Sequence, residues 1–209
     1  MIEGIHIIDD VIPKSYQDEI ERVMFEDAQW MLRHDITYEK SLFLKLQKHR
    51  PGLKPRPGFH HALVQNYNYS SPITNFLRPL ILQGLEKIDC RLNSISLGRS
   101  FLQLPIHPGL HEDIKDPLHV DSYQPHMVFL YYVVSSDGQT LISECKSDWS
   151  DDSDTIQEYT YDRCKILERV TPKKGRLVMF DGRHYHAAEQ SREDIRCIIN
   201  FNLQVSKND

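Results

Sequence analysis

The tripeptide His119-Val120-Asp121 sets an imidazole and a carboxylate two positions apart at the head of the apolar, aromatic run "PLHVDSYQPHMVFLYYVVSSDGQTLI", residues 117–142. In an extended chain alternate side chains share a face, so His119 and Asp121 point together while Val120 points away. A second pair at the same spacing, His184 and His186, stands in "PKKGRLVMFDGRHYHAAEQ". Two histidines and one carboxylate form the facial set that holds non-haem ferrous iron and leaves positions open for a co-substrate and O₂. His-x-Asp by itself is common, and a half-buried histidine usually just satisfies a hydrogen bond. Either histidine of the second pair can complete the set, and the company they keep decides its meaning.

That company is Arg196, ten positions after His186, at the head of the apolar segment "RCIINFNL". A guanidinium buried without a partner is costly, and its planar fork fits a carboxylate in two hydrogen bonds. A dicarboxylate co-substrate would supply that anion; an internal Asp or Glu is the other candidate. Arg192, among Ser191, Glu193 and Asp194, reads as a solvated turn residue.

These residues need a rigid frame. After residue 90 the chain runs in short β-branched and aromatic segments separated by turn signals, with no convincing helix, which suggests a sandwich or barrel with its helices gathered on one side. Two helices are expected before that point. In "PKSYQDEIERVMFEDAQWML" the apolar residues Tyr16, Ile20, Val23, Met24 and Trp30 recur at helical spacing, with Ser15 and Asp18 placed as a start. In "SSPITNFLRPLILQGLEKI" Ser71 can cap, Pro72 suits the first turn, and Phe76, Leu77, Leu80, Ile81 and Leu85 form a stripe that Pro79 should bend. Between them "KHRPGLKPRPGFHH" reads as a loop, and "GFHHALVQNYNY" as a strand with His60 and His61 at its surface or edge. "SECKSDWSDDSDTIQEY" reads as an exposed acidic hairpin loop, with calcium or basic-peptide binding as the rarer use.

The 209 residues are enough for one sizeable core, and 40% hydrophobic with 26% charged residues is the composition of a soluble globular chain. One domain is expected over residues 1–209, helical to about residue 90 and β from about 91 to 205. No apolar run approaches the ~20 residues of a membrane span. The N-terminus carries acids where a secretory leader needs bases, so a cytoplasmic protein is expected. A net charge of −5 does not favour nucleic acid as a partner. Cys90, Cys145, Cys164 and Cys197 show no Cys-x-x-Cys pair and are expected to be free thiols.

Over residues 91–203, in "HVD", "FLYYVVSSDGQT", "PKKGRLVMFDG" and the final histidine followed by arginine, the chain resembles the 2-oxoglutarate and Fe(II)-dependent oxygenases. It is most similar to their prolyl-4-hydroxylase-like branch, which includes small bacterial and bacteriophage members. The resemblance implies a double-stranded β-helix, or jelly roll, with N-terminal helices packed on one sheet. It implies iron held by His119, Asp121 and His186, the last preferred over His184 for its spacing to Phe180 and Arg196. It also implies 2-oxoglutarate held by Arg196 and by Tyr132, whose neighbour Tyr131 should face the opposite way.

The implied reaction couples oxidative decarboxylation of 2-oxoglutarate, with Fe(II), O₂ and ascorbate as an auxiliary reductant, to hydroxylation of a substrate. A prolyl residue in a peptide or protein is the substrate the branch suggests. A small metabolite or modified nucleotide is the alternative, and a non-catalytic jelly-roll metal- or ligand-binding protein is the reading from another class. The chain departs from many relatives before the iron motif, where Leu104 or His107 stands in place of a tyrosine. The segment His107–Pro117 is a candidate lid. The sequence leaves the oligomeric state open.

Overall fold

The computed structural model describes residues 3–36, 40–49, 55–106, 115–122, 124–148 and 163–208. Eleven strands and three α-helices are arranged so that one long strand carries the middle of the molecule. This is β11 (Arg196–Lys207), which runs antiparallel to β5 (Cys90–Gln103) on one side and to β6 (Met127–Tyr132) on the other. Beyond β6 lie β9 (Leu177–Asp181) and β1 (Ile5–Ile8); beyond β5 lie β3 (Gly58–Gln65) and β2 (Met31–Arg33), and β4 (Asn68–Tyr69) hangs on β3. A smaller sheet of β10 (His184–Ala188), β7 (Thr140–Lys146) and β8 (Ile166–Val170) faces it. All named pairings are antiparallel, the strand arrangement of a double-stranded β-helix.

Both faces of the central strands are covered, so β6, β9 and most of β11 read as continuous apolar runs rather than alternating ones. Their alternate residues enter two different cores. Phe129, Tyr131, Leu177, Met179, Ile199 and Phe201 pack outward against the helices, while Val128, Leu130, Tyr132, Val178, Phe180 and Ile198 pack inward with Ile142 and Val170 of the small sheet. Tyr131 and Tyr132 thus face opposite sides, as expected.

The outer face is covered by α1 (Lys14–Arg22), which continues into a π-turn over Val23–Asp27, and by α3 (Ile73–Glu86). The start of α1 differs from expectation. Pro13 occupies the cap without any side-chain bond, and its carbonyl accepts from the Tyr16 and Gln17 amides, so Ser15 is not a cap. Trp30 lies past the π-turn, with its indole N–H bonded to the Met24 carbonyl. At α3 the Ser71 hydroxyl accepts from the Ile73 amide at 3.2 Å, and Pro79 sits within the helix.

Three expectations are corrected. The stretch before residue 90 is not only helical: it supplies β1 to β4, because its apolar alternation completes the edges of the large sheet. A further helix, α2 (Lys40–His49), precedes the basic proline-rich segment and ends within the stretch expected to be loop. Cys145 and Cys164 are joined in a disulfide, since antiparallel pairing of β7 with β8 brings their Cα atoms to 5.6 Å; Cys90 and Cys197 are buried free thiols. Residues 107–114 of the candidate lid His107–Pro117, and residues 149–159 of the acidic segment, lie outside the described residues. Among the described residues no helix is long and apolar enough to cross a membrane.

Candidate metal and co-substrate site

His119 and Asp121 do not belong to β6, which begins at Met127, well past both of them in the chain, paired with Leu203 of β11. They sit on a short extended piece that touches β10 through a single antiparallel bridge, His119 to His186, closed by reciprocal amide–carbonyl bonds of 3.0 and 2.9 Å. The bridge brings the two imidazoles side by side, with ring centroids 4.8 Å apart. Asp121 turns back between them. Ligand atoms of His119, Asp121 and His186 all lie within 4.8 Å of one another.

The tautomers follow from the partners. His119 Nδ1 lies 3.0 Å from the Pro117 carbonyl and His186 Nδ1 lies 3.0 Å from the His184 carbonyl. A carbonyl only accepts, so each Nδ1 carries a proton and Nε2 is the nitrogen left to face a ligand. The two Nε2 atoms face the Asp121 carboxylate, at 4.0 Å from Oδ1 for His119 and 3.7 Å from Oδ2 for His186. Burial pushes the His186 imidazole down to about 4 against the pull of Asp121, which keeps it neutral at physiological pH. Burial alone would raise the Asp121 carboxyl. Arg99, the two histidines and a 2.8 Å bond from Asn200 Nδ2 outweigh it and hold the group well below the usual carboxylate range. Two imidazoles and one carboxylate are the donor set that suits ferrous iron.

His184 does not join them. A register shift between His184 and His186 turns its ring away, and its Nδ1 donates to the Ser143 carbonyl at 2.7 Å. His60 and His61 are also outside the cluster. Contrary to expectation they are buried: His60 stacks near Phe101, and His61 bridges the Gln29 carbonyl and the Ser71 hydroxyl.

A cavity of about 150 Å³ runs from this cluster along the inner face of the large sheet to Arg196. Arg196 is 3% exposed, and its guanidinium donates to Gly138 O, Gln103 Oε1 and Thr140 Oγ1 at 3.1, 2.8 and 2.8 Å. All three acceptors are neutral. Among the described residues no carboxylate comes within 4.0 Å, and its other polar neighbour is the Tyr132 hydroxyl. Further donors gather beside it. Because Gln103 turns its oxygen to the arginine, its amide nitrogen faces away, buried and unpartnered. Thr140 Oγ1 accepts from both Arg196 and Tyr132, which frees its own proton for another acceptor.

Tyr132 is fully buried behind this group: it does not line the cavity but bonds Thr140, which does, at 2.7 Å. Leu104 is half exposed, and position 107 lies outside the described residues. Gln103 takes up the contact with Arg196. Gln103, Thr140, Arg99 and Asn200 were not picked out from sequence. The available signal was a polar side chain at an inward position of a strand: Arg99 and Gln103 on β5, Thr140 on β7, Asn200 on β11.

No family model matches the chain, and no curated protein does. Solved structures match it throughout its length. The non-haem alpha-ketoglutarate-dependent epimerase SnoN from nogalamycin biosynthesis aligns over 99% of this chain and 81% of its own, with a TM-score of 0.63 at 11% identity. HygX from Streptomyces hygroscopicus, solved with nickel and 2-oxoglutarate bound, aligns over 98% and 83% with a TM-score of 0.55 at 14% identity. AviO1 from Streptomyces viridochromogenes Tue57 aligns over 96% and 89%, at 0.53 and 12%. The fold is that of the 2-oxoglutarate and Fe(II)-dependent oxygenases.

Proposed function

We propose that this chain is an Fe(II)- and 2-oxoglutarate-dependent oxygenase in which His119, Asp121 and His186 hold the iron and Arg196 anchors the far carboxylate of 2-oxoglutarate. One observation carries the reading: a His, His, carboxylate cluster opens into a cavity that ends on a buried cation without a carboxylate partner among the described residues, beside the unpartnered Gln103 amide. Each half calls for a ligand of the other's chemistry, a divalent metal at one end and a dicarboxylate reaching from it to the other. When bound, the iron supplies oxidation of the co-substrate by O₂ and, with it, removal of a hydrogen from an unactivated carbon.

The protein's share is positioning. Carbonyl bonds to both Nδ1 atoms fix the imidazoles, and Asn200 and Arg99 fix the Asp121 carboxylate. Arg196 offers its guanidinium, Thr140 its hydroxyl and Gln103 its amide to the distal carboxylate, while Tyr132 keeps Thr140 oriented. The apolar wall of Leu130, Ile198 and Val120 keeps water from the path between the two ends. The product is a hydroxylated substrate, for which a prolyl residue in a peptide or protein is the candidate from family resemblance. A small metabolite or modified nucleotide is the alternative substrate class.

The test is anaerobic absorption spectroscopy of the iron-loaded chain. Adding 2-oxoglutarate should raise a weak visible metal-to-ligand charge-transfer band; a folded, iron-loaded protein without that band would sink the assignment.

A further inference from the structure

We infer that the substrate of this site presents an anionic group, a carboxylate or a phosphate, to Arg99. The inference rests on the oxygenase reading and specifies what that site accepts. On the inner face of β5 the residues Arg99, Phe101 and Gln103 follow one another at alternate positions. Gln103 meets Arg196 at the co-substrate end, whereas Arg99 lies beside Asp121 and lines the same cavity. Four residues of strand separate the two by roughly 13 Å. The metal cluster therefore stands between two cations, and only one of them is needed for the co-substrate.

Arg99 is held in place with donors to spare. One edge of its guanidinium bonds Asp121 Oδ1 at 2.5 Å through Nη2, and its face lies over the Phe101 ring, 5.4 Å from the centroid. The ring in turn rests against His60 at 5.4 Å, a buried imidazole pushed down to about 4 by burial and by the charges of Arg33 and Arg99. Nε and Nη1 have no partner among the described residues, and the side chain is 25% exposed. A cation fixed on one edge, stacked on one face and open on the other edge is built to receive an anion.

Charge balance points the same way. The two positive charges of a ferrous ion and the two negative charges of 2-oxoglutarate cancel, as do those of Arg196 and Asp121. Asp116 faces Arg56 at 3.3 Å, so even when ionised it adds no negative charge beyond the positive one beside it. Arg99 is left over. In a partly enclosed cavity such a surplus charge favours an anionic ligand and disfavours a cationic one.

The experiment uses the full chain loaded with Mn(II) and 2-oxoglutarate, with ¹⁹F NMR of two probe anions, trifluoroacetate and fluorophosphate. Paramagnetic broadening of a probe reports binding close to the metal. Wild type should broaden at least one probe, and the arm that responds tells carboxylate from phosphate. Arg99→Gln should weaken that binding at least tenfold, and Arg99→Lys should retain part of it. Broadening that persists in Arg99→Gln would be ligation to the metal and would overturn the inference, as would no broadening in either arm. Because Arg99 also holds Asp121, wild type and variants are compared saturated with Mn(II), so that loss of probe binding is read apart from loss of metal. The charge-transfer band, recorded before any probe is added, separates the two claims. A missing band sinks the oxygenase reading, whereas a band without Arg99-dependent anion binding sinks only this inference.

Discussion

At the scale of single residues, the second histidine pair is where type and spacing leave two choices and hydrogen bonding makes one. His184 spends Nδ1 on the Ser143 carbonyl and lies outside the cluster, while His186 presents Nε2 to Asp121. His186→Ala should therefore abolish tight iron binding, and His184→Ala should change it by less than about threefold; the reverse result by calorimetry would reassign the third ligand. Arg196→Ala removes the buried cation and should weaken 2-oxoglutarate by the 10²-fold or so expected for a charge-assisted bidentate contact of about 2–3 kcal/mol, leaving iron affinity nearly unchanged. Asp116 gives a pH dependence. Burial pushes its carboxyl up to about 7 despite the opposing charge of Arg56. The unfolded value is about 3.9, so the folded chain holds a proton there that the unfolded chain releases. That contribution to stability is full below about pH 4 and is lost as pH rises through about 7. Asp116→Asn should flatten denaturation midpoints over this window; an unchanged slope would refute the assignment.

At the scale of elements, the close seating of α3 on the sheet is the contact that keeps the inner face aligned. A Cβ added at Gly84 would stand 2.6 Å from both Leu177 Cδ2 on β9 and Phe129 Cε2 on β6, so nothing larger than hydrogen fits without movement. Gly84→Ala should gain helix propensity yet lose more to overpacking, for a net destabilisation of about 1–3 kcal/mol in urea unfolding. A neutral or stabilising result would show that the helix can lift from β6 and β9. The same geometry explains why α3 was legible and α1 less so. A stripe from Leu77 to Leu85 against a flat sheet fixes a helix, whereas the π-turn after Arg22 depends on how Val23 and Met24 fall into a core built by distant strands.

At the scale of the whole molecule, the outer side of the metal cluster is backed by the Cys145–Cys164 disulfide. The two half-cystines pack with Leu118 and Val120, which flank His119, and with Tyr185 and Ala187, which flank His186. The bond closes a loop of 19 residues. Closing a loop of that size stabilises by about 3 kcal/mol in the chain-entropy account. Cys145→Ser with Cys164→Ser, or reduction by dithiothreitol, should lower the thermal midpoint by several degrees; a midpoint indifferent to reductant would show that the bond does not form in solution.

The sequence by itself carried the ligand types, the buried arginine and the β-rich second half, because side-chain alternation and the cost of burying charge are local properties of the chain. It also carried the opposite facing of Tyr131 and Tyr132, which follows from strand period alone. Tertiary structure decided the rest. Whether His184 or His186 meets Asp121 depends on a register shift against β7, and the shared face of His119 and Asp121 depends on a bridge to β10 rather than on a strand of their own. The partnership of Cys145 with Cys164 arises only when β7 pairs with β8, and the convergence of Gln103, Thr140 and Asn200 on one cavity only when the small sheet carrying β7 faces β5 and β11 of the large one. Pairing between segments far apart in the chain is set by the total packing of two sheets, and no local pattern encodes it.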